Sequence, residues 1–119
     1  MKESVLREKS YQFALRIVKL YKFISTDKKE FVLSKQILRS GTSIGANVEE
    51  ASQAQSKTDF IHKLSIAQKE SAETTYWLRL LRDSEFLTAK QAESLLIDCE
   101  ELQKLLASSI KTAKENLQK

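Results

Sequence analysis

Apolar residues recur along the chain at alternating steps of three and four, which is the spacing of one buried face on an α-helix. The first such series consists of Leu6, Phe13, Ile17, Leu20 and Ile24. It predicts a helix over residues 3–25. Ser25-Thr26-Asp27 follows and can cap the next helix, with Glu30 placed three residues after Asp27 as in a capping box. The pattern therefore predicts that a second helix begins near residue 28.

The second helix is predicted over residues 28–54, opening with Phe31, Val32 and Leu33. It contains both glycines of the chain, Gly41 and Gly45. Each glycine costs about 1 kcal/mol relative to alanine inside a helix, so a break with a short loop is one interpretation. The other is a continuous helix in which the glycines let another backbone approach closely. The spacing of the apolar residues is maintained across both glycines, and this favours the continuous helix.

Two further apolar series predict helices over residues 58–83 and 88–116. Ser56, Thr58 or Asp59 can cap the third helix, and Thr88 with Gln91 can cap the fourth. Four long helices joined by short polar turns predict an all-α, antiparallel up-down-up-down four-helix bundle. At 119 residues the chain is the size of one domain, spanning residues 1–119. Second apolar stripes on the first and third helices suggest burial between subunits, so a homo-oligomer is expected.

Composition favours helices and a cytoplasmic protein. The chain has no proline and only two glycines, and its single cysteine, Cys99, cannot form a disulfide within the chain. No apolar segment typical of a signal peptide follows Met1-Lys2-Glu3, and no apolar run approaches the roughly 20 residues that span a bilayer. We therefore expect a cytoplasmic location and no membrane partner.

Positive charge is concentrated in the first third of the chain. Residues 1–39 contain 10 Lys or Arg against 4 Asp or Glu, whereas residues 40–119 contain 10 against 12. Such an excess either contacts nucleic acid or an acidic partner, or simply solvates one helix face. The candidate nucleic-acid contacts are Arg16, Lys19, Lys22, Lys28, Lys29, Lys35 and Arg39. Tyr11, Tyr21 and Phe23 lie among them and could stack on bases, although core packing explains Phe23 equally well.

Catalytic and cofactor sites find little support. Gly41-Thr42-Ser43-Ile44-Gly45 lacks the lysine and the preceding strand of a phosphate-binding loop. A carboxylate-bridged metal site needs two histidines, and His62 is the only one. Cys99 lies on the apolar face of the fourth helix, where a thiol usually serves packing. A slender bundle also leaves little room for a reaction pocket, so we predict no enzyme, no metal, no cofactor and no small-molecule substrate.

Asn47, Glu50 and Glu73 form a candidate polar cluster. Asn47 and Glu50 are three residues apart and share one helix face. Arg39, Lys63 or Lys69 could pair with the carboxylates, since a buried carboxylate is costly without a partner. The cluster either fixes the register between helices or binds a partner or ligand, and the structural interpretation is favoured.

Residues 34–51, which read SKQILRSGTSIGANVEEA, resemble the central signature of the 23S rRNA-intervening-sequence proteins. Residues 60–78, FIHKLSIAQKESAETTYWL, continue the resemblance. It implies a bacterial four-helix bundle that assembles into a ring, commonly a homopentamer, in a family whose biochemical role is largely unassigned. The chain is also similar to the accessory variability determinant of diversity-generating retroelements, a basic pentameric barrel that associates with a reverse transcriptase and nucleic acid.

The resemblance extends to single positions. Asn47, Glu50 and Glu73 match the recurring Asn and Glu positions of the family. Many members read Asn-Ile-Ala-Glu-Gly where this chain has residues 47–51, and Gly-Ser where it has residues 69–70, which implies a subgroup with different surface chemistry. The leading hypothesis is a non-enzymatic oligomeric scaffold that binds RNA, DNA or a ribonucleoprotein through basic helix faces. The alternative is a protein–protein adaptor with no direct role on nucleic acid.

Overall fold

The computed structural model describes residues 2–118, and within them it contains four α-helices and no β-strand. The helices are α1 (Lys2–Thr26), α2 (Leu33–Ser52), α3 (Lys57–Asp83) and α4 (Ala89–Gln118). Each helix packs on the next along the chain, and α4 also packs on α1. No close backbone contact joins α1 to α3 or α2 to α4 in this part of the chain. The four helices therefore surround one core, as a bundle of 51 × 21 × 20 Å.

The core consists mainly of the residues in the predicted apolar series. Each helix contributes side chains that are almost fully buried, among them Ile17, Ile37, Leu78 and Leu106. Full burial of one such side chain contributes roughly 1.5–3 kcal/mol, so the many buried aliphatic groups supply most of the driving force for folding. The prediction of an all-α bundle is thus confirmed.

Helix α2 begins at Leu33, and the predicted start near residue 28 is wrong. Residues 27–32 form a loop, which we call the α1–α2 loop, and Lys29 has a φ of 53° within it. The side chain of Glu30 accepts hydrogen bonds from the backbone N–H groups of Val32 (3.1 Å), Leu33 (3.0 Å) and Ser34 (2.8 Å). These are the donors that a helix leaves unpaired in its first turn. Glu30 therefore caps α2 itself, instead of completing a capping box that starts at Asp27.

Helix α2 runs without interruption through both glycines, as the continuous-helix interpretation predicts. A Cβ atom on Gly41 would lie 2.7 Å from Cγ1 of Ile17, and one on Gly45 would lie 3.2 Å from the carbonyl oxygen of Ser10. The two glycines thus allow α1 to pack directly against the backbone of α2.

The predicted caps of the last two helices are present. The hydroxyl of Ser56 accepts a hydrogen bond from the backbone N–H of Asp59 at 3.0 Å, and α3 begins at the next residue after Ser56. Before α4, the Thr88 hydroxyl accepts from the Gln91 N–H at 3.1 Å, and the Gln91 side chain accepts from the Thr88 N–H at 2.9 Å. Both starts agree with the sequence pattern to within one residue.

Candidate nucleic-acid interface

Two of the seven candidate basic residues are engaged by acidic partners on other helices. Nη1 of Arg16 lies 2.5 Å from the carboxylate of Asp98 on α4, and Nη2 donates to the hydroxyl of Ser94 at 2.9 Å. Arg39 on α2 forms ion pairs with Glu73 and, at 3.3 Å, with Glu70 on α3. Since their charges are balanced locally, both arginines mainly connect helices.

The other five candidates are exposed lysines, and none forms an ion pair with another residue of the described chain. They are Lys19, Lys22, Lys28, Lys29 and Lys35. They lie along the second half of α1, in the α1–α2 loop and in the first turn of α2. Nζ of Lys28 also lies 5.7 Å from the ring centroid of Phe23. These five lysines without ion-pair partners therefore lie around the junction between α1 and α2.

The α1–α2 loop presents two large apolar side chains among these lysines. Phe31 is 58% exposed and Val32 is 70% exposed. Burial alone would raise the pKa of Glu30, but hydrogen bonds from the N–H groups of Leu33, Ser34 and Val32 outweigh it and lower the pKa. The charge of Glu30 is thus stabilised by the start of α2 while Phe31 points its ring into solvent.

A second polar network connects α2 to α3 at Glu73. Its carboxylate accepts hydrogen bonds from Nε1 of Trp77 at 3.0 Å and from the guanidinium of Arg39. The Trp77 hydrogen bond and then the Arg39 pairing lower the pKa of Glu73 against the opposing effect of burial. The Trp77 ring meets the ring of Tyr76 edge-on, with centroids 5.0 Å apart.

Asn47, Glu50 and Glu73 have separate partners and do not converge on one site. Nδ2 of Asn47 donates to the carbonyl of Ser43 within α2, at 2.8 Å. Glu50 is exposed and accepts from Nζ of Lys63 on α3 at 3.1 Å. Lys63 and Arg39 are thus the basic partners of the two carboxylates, as considered from the sequence, and each pair connects α2 to α3.

Among residues 2–118, no group of three or more His, Cys, Asp or Glu side chains is placed to hold a metal ion. The thiol of Cys99 is buried and donates to the carbonyl of Ser71 at 3.3 Å, and burial raises its pKa. None of the described helices has the length and apolar character needed to cross a membrane.

Two surface grooves, each of about 460 Å³, lie away from the predicted polar cluster. One runs between the α2–α3 turn and the C-terminal part of α4, beside Ser56, Phe60 and Ser109. The other lies between α1 and the start of α4, beside Lys19 and Phe23. Neither is lined by Asn47, Glu50 or Glu73.

Of the aromatic residues considered for stacking, Tyr11 is exposed, whereas Tyr21 and Phe23 are partly buried. Phe23 packs against the core, in agreement with the alternative interpretation. Phe31 was not among these candidates, because the periodic pattern placed it at the start of a helix. The run Lys-Lys-Glu-Phe-Val at positions 28–32 is the signal that could have identified it as part of a basic loop.

Comparison with known proteins gives one family and a close structural match. The sequence profile of the 23S rRNA-intervening sequence proteins matches residues 2–108. A crystal structure of a protein of unknown function from the S23 ribosomal protein family of Bacteroides thetaiotaomicron is 60% identical and superposes with a TM-score of 0.92. That alignment covers 93% of this chain and 99% of the other. No functionally curated protein matches the chain.

Proposed function

The chain belongs to the 23S rRNA-intervening sequence protein family, and from this premise we propose that it is a non-enzymatic helical scaffold that binds RNA, DNA or a ribonucleoprotein. The observation that carries the proposal is the group of five exposed lysines without ion-pair partners in the described chain, around the α1–α2 junction. Lysine is a compact cation suited to phosphate groups, and such contacts supply affinity without reading base sequence. The family is named after a 23S rRNA intervening sequence, and the structural relative is described as a member of the S23 ribosomal protein family, so RNA is the first ligand to test.

We propose that several copies of the bundle assemble into a homo-oligomeric ring, a pentamer by family resemblance. Exposed apolar side chains on α1, among them Tyr11 and Leu15, support burial between subunits, and Ile97 adds an exposed apolar side chain on α4, a helix for which no second stripe was predicted. Within one bundle, Arg7 near the start of α1 pairs with Glu49 near the end of α2, and Ile17 further along α1 contacts Gly41 earlier in α2. This order of contacts supports an antiparallel arrangement of these two neighbouring helices. A ring would repeat each lysine group, so several weak phosphate contacts would act together on one nucleic acid.

Salt-dependent binding tests the proposal. Filter binding of labelled RNA and DNA by the purified protein is measured from low to physiological salt. We expect binding whose logarithmic affinity falls linearly with the logarithm of salt concentration, because phosphate contacts release counterions. Absence of binding at low salt, or an affinity that salt leaves unchanged, would contradict the proposal. Light scattering after size-exclusion chromatography gives the subunit number on the same samples.

A protein–protein adaptor is the second candidate, favoured by the same exposed apolar residues on α1 and α4. In that case the lysines would only solvate the surface. Affinity capture followed by nuclease treatment separates the two functions. A stoichiometric protein partner that remains after nuclease treatment, together with no binding to purified nucleic acid, would favour the adaptor. For either function we propose a cytoplasmic location, consistent with a single buried cysteine.

A further inference from the structure

The α1–α2 loop combines an exposed aromatic ring with cations in a way that suits unpaired bases. We infer that residues 27–32 bind single-stranded nucleic acid, with the ring of Phe31 stacking on a base and the neighbouring lysines contacting the phosphates on either side. This inference rests on the proposed nucleic-acid function and narrows its ligand to strands with unpaired bases.

The loop backbone is held at both of its ends. The N–H groups of Asp27 and Glu30 donate to the carbonyls of Phe23 (2.8 Å) and Ile24 (3.1 Å) in α1. On the other side, the Glu30 carboxylate accepts from the first N–H groups of α2, and the Ser34 hydroxyl donates to the Glu30 carbonyl at 2.8 Å. The hydrogen-bonded backbone therefore holds Phe31 in an exposed position, and the loop needs little further ordering when Phe31 binds a base.

The ring of Phe31 is also available for stacking. Leu33, two residues later, packs against the core, whereas Phe31 remains 58% exposed. Tyr76 is exposed to a similar extent, 55%, but its ring is engaged edge-on with Trp77. Within the described chain, no aromatic contact of this kind involves Phe31. An exposed ring of this sort can stack on any of the four bases.

The charges around Phe31 favour a polyanion. Lys28, Lys29 and Lys35 are all exposed and lie within four residues of it along the chain. The nearby acids are Asp27 and Glu30, and the Glu30 carboxylate is engaged by the N–H groups of α2. In a duplex the bases are already stacked on each other, so Phe31 would reach none of them and only the lysines would contribute.

An anionic lipid surface is the other partner that combines apolar and positive groups. One phenyl ring and one valine offer little apolar area for insertion between lipids, whereas a single ring is sufficient to stack on a base. The observations therefore favour nucleic acid, and lipid binding becomes an outcome of the test.

The test compares one single strand and its duplex by fluorescence anisotropy at low salt. The probe is a labelled RNA of about 12 nucleotides, within the site size of typical single-strand binders. Phe31→Ala is expected to weaken binding of the single strand by about 5- to 150-fold, the range of one lost stacking contact. Binding of the duplex should change less than about twofold. Tyr76→Ala is the matched control, because it removes an equally exposed ring outside the loop, and it should leave both affinities unchanged.

Two further variants keep the test decisive. Phe31→Tyr preserves an aromatic face and should retain single-strand affinity, whereas Phe31→Leu preserves apolar volume without that face and should lose it. If circular dichroism shows that Phe31→Ala is unfolded, the comparison of Phe31→Tyr with Phe31→Leu takes the place of the comparison of Phe31→Ala with the wild type.

The outcomes separate this inference from the proposed function. If Phe31→Ala and Phe31→Leu bind the single strand as tightly as the wild type, the loop inference is overturned while the proposed function stands. If the wild type binds neither strand nor duplex, both are overturned. Binding to vesicles that contain phosphatidylserine is measured in parallel. If Phe31→Ala keeps its affinity for the single strand and loses binding only to these vesicles, the loop recognises lipid and the inference is again overturned.

Discussion

A methyl group on Gly41 of α2 would lie 2.7 Å from Cγ1 of Ile17 on α1, a distance shorter than carbon atoms tolerate without rearrangement. The Cγ2 and Cδ1 atoms of Ile17 would be 2.8 and 3.0 Å away. Ile17 is completely buried and branched at Cβ, so it has little freedom to move. The absence of a side chain at residue 41 therefore sets how closely α1 and α2 pack.

Gly41→Ala should destabilise the protein despite the higher helix propensity of alanine. The propensity gain is about 1 kcal/mol, while forcing extra volume into a packed interface costs about 1–3 kcal/mol. We therefore expect a net loss of up to about 2 kcal/mol in the free energy of unfolding, measured with urea. In an Ile17→Ala background the clash is removed, so the same change should become neutral or stabilising. An equal loss in both backgrounds would show that the two residues are not coupled.

Glu30→Gln should destabilise α2 at neutral pH and remove part of the acid sensitivity of the protein. Hydrogen bonds to the start of α2 lower the pKa of Glu30 in the folded state below its ordinary value of 4.5. Its contribution is therefore fully present above that ordinary value and is lost as the pH falls through the lower folded value. We expect a loss of about 1–2 kcal/mol near pH 7, as for other charged helix caps.

The measurement for Glu30 is urea unfolding from pH 7 down to pH 3, in steps, for wild type and variant. The difference between them should narrow as the pH falls from 4.5 through the lower folded value, because Glu30 of the wild type is protonated first in the unfolded chain and then in the folded protein. Glu93→Gln, at an exposed position of α4, serves as the control for removing one carboxylate. A difference that stays constant over this pH range would mean that the charge of Glu30 is not what stabilises the cap.

Periodicity was sufficient to predict four helices, the continuity of α2 and most of the core, because these depend on which face of each helix is apolar. It failed at residues 28–32, since a glutamate that accepts three backbone N–H groups is not a usual capping residue, and Asp27 offered the more familiar signal. The error had a functional consequence. It placed Phe31 inside a helix instead of in an exposed loop.

The partners of the basic residues were only partly accessible from the sequence. Arg16 meets Asp98, and the pairing spans 82 positions of the chain. Such a contact depends on the rotation and axial position of both helices, which an apolar pattern fixes only approximately. The five lysines could be identified as basic residues, but their lack of ion pairs within the described chain required the coordinates.

Cys99 should react with thiol reagents only when the whole protein unfolds. Its thiol is buried, burial raises its pKa, and it donates to the Ser71 carbonyl, so little reactive thiolate is present or accessible. Labelling with a chromogenic disulfide reagent should be slow in buffer and should accelerate in urea in parallel with unfolding. Thr112→Cys in a Cys99→Ser background places a thiol at an exposed position and should label rapidly. Rapid labelling of native wild-type protein would instead reveal local opening of α4.

The lysines of the α1–α2 junction should determine the salt dependence of nucleic-acid binding. We expect the combined change of Lys28, Lys29 and Lys35 to glutamine to weaken binding and to make the plot of log affinity against log salt shallower. For a single strand the slope should fall by roughly 0.7 for each phosphate contact that is lost. The measurement is the filter-binding titration at several salt concentrations.

The control for this change removes the same positive charge elsewhere, through glutamine substitutions at three exposed lysines of α3 and α4. They are Lys69, Lys111 and Lys114. Because the two triple variants have the same net charge, general attraction to a polyanion is equal in both, and only specific phosphate contacts distinguish them. We expect the control to keep the wild-type slope. If both variants lose affinity and slope equally, binding depends on net charge alone and the α1–α2 junction is not the contact surface.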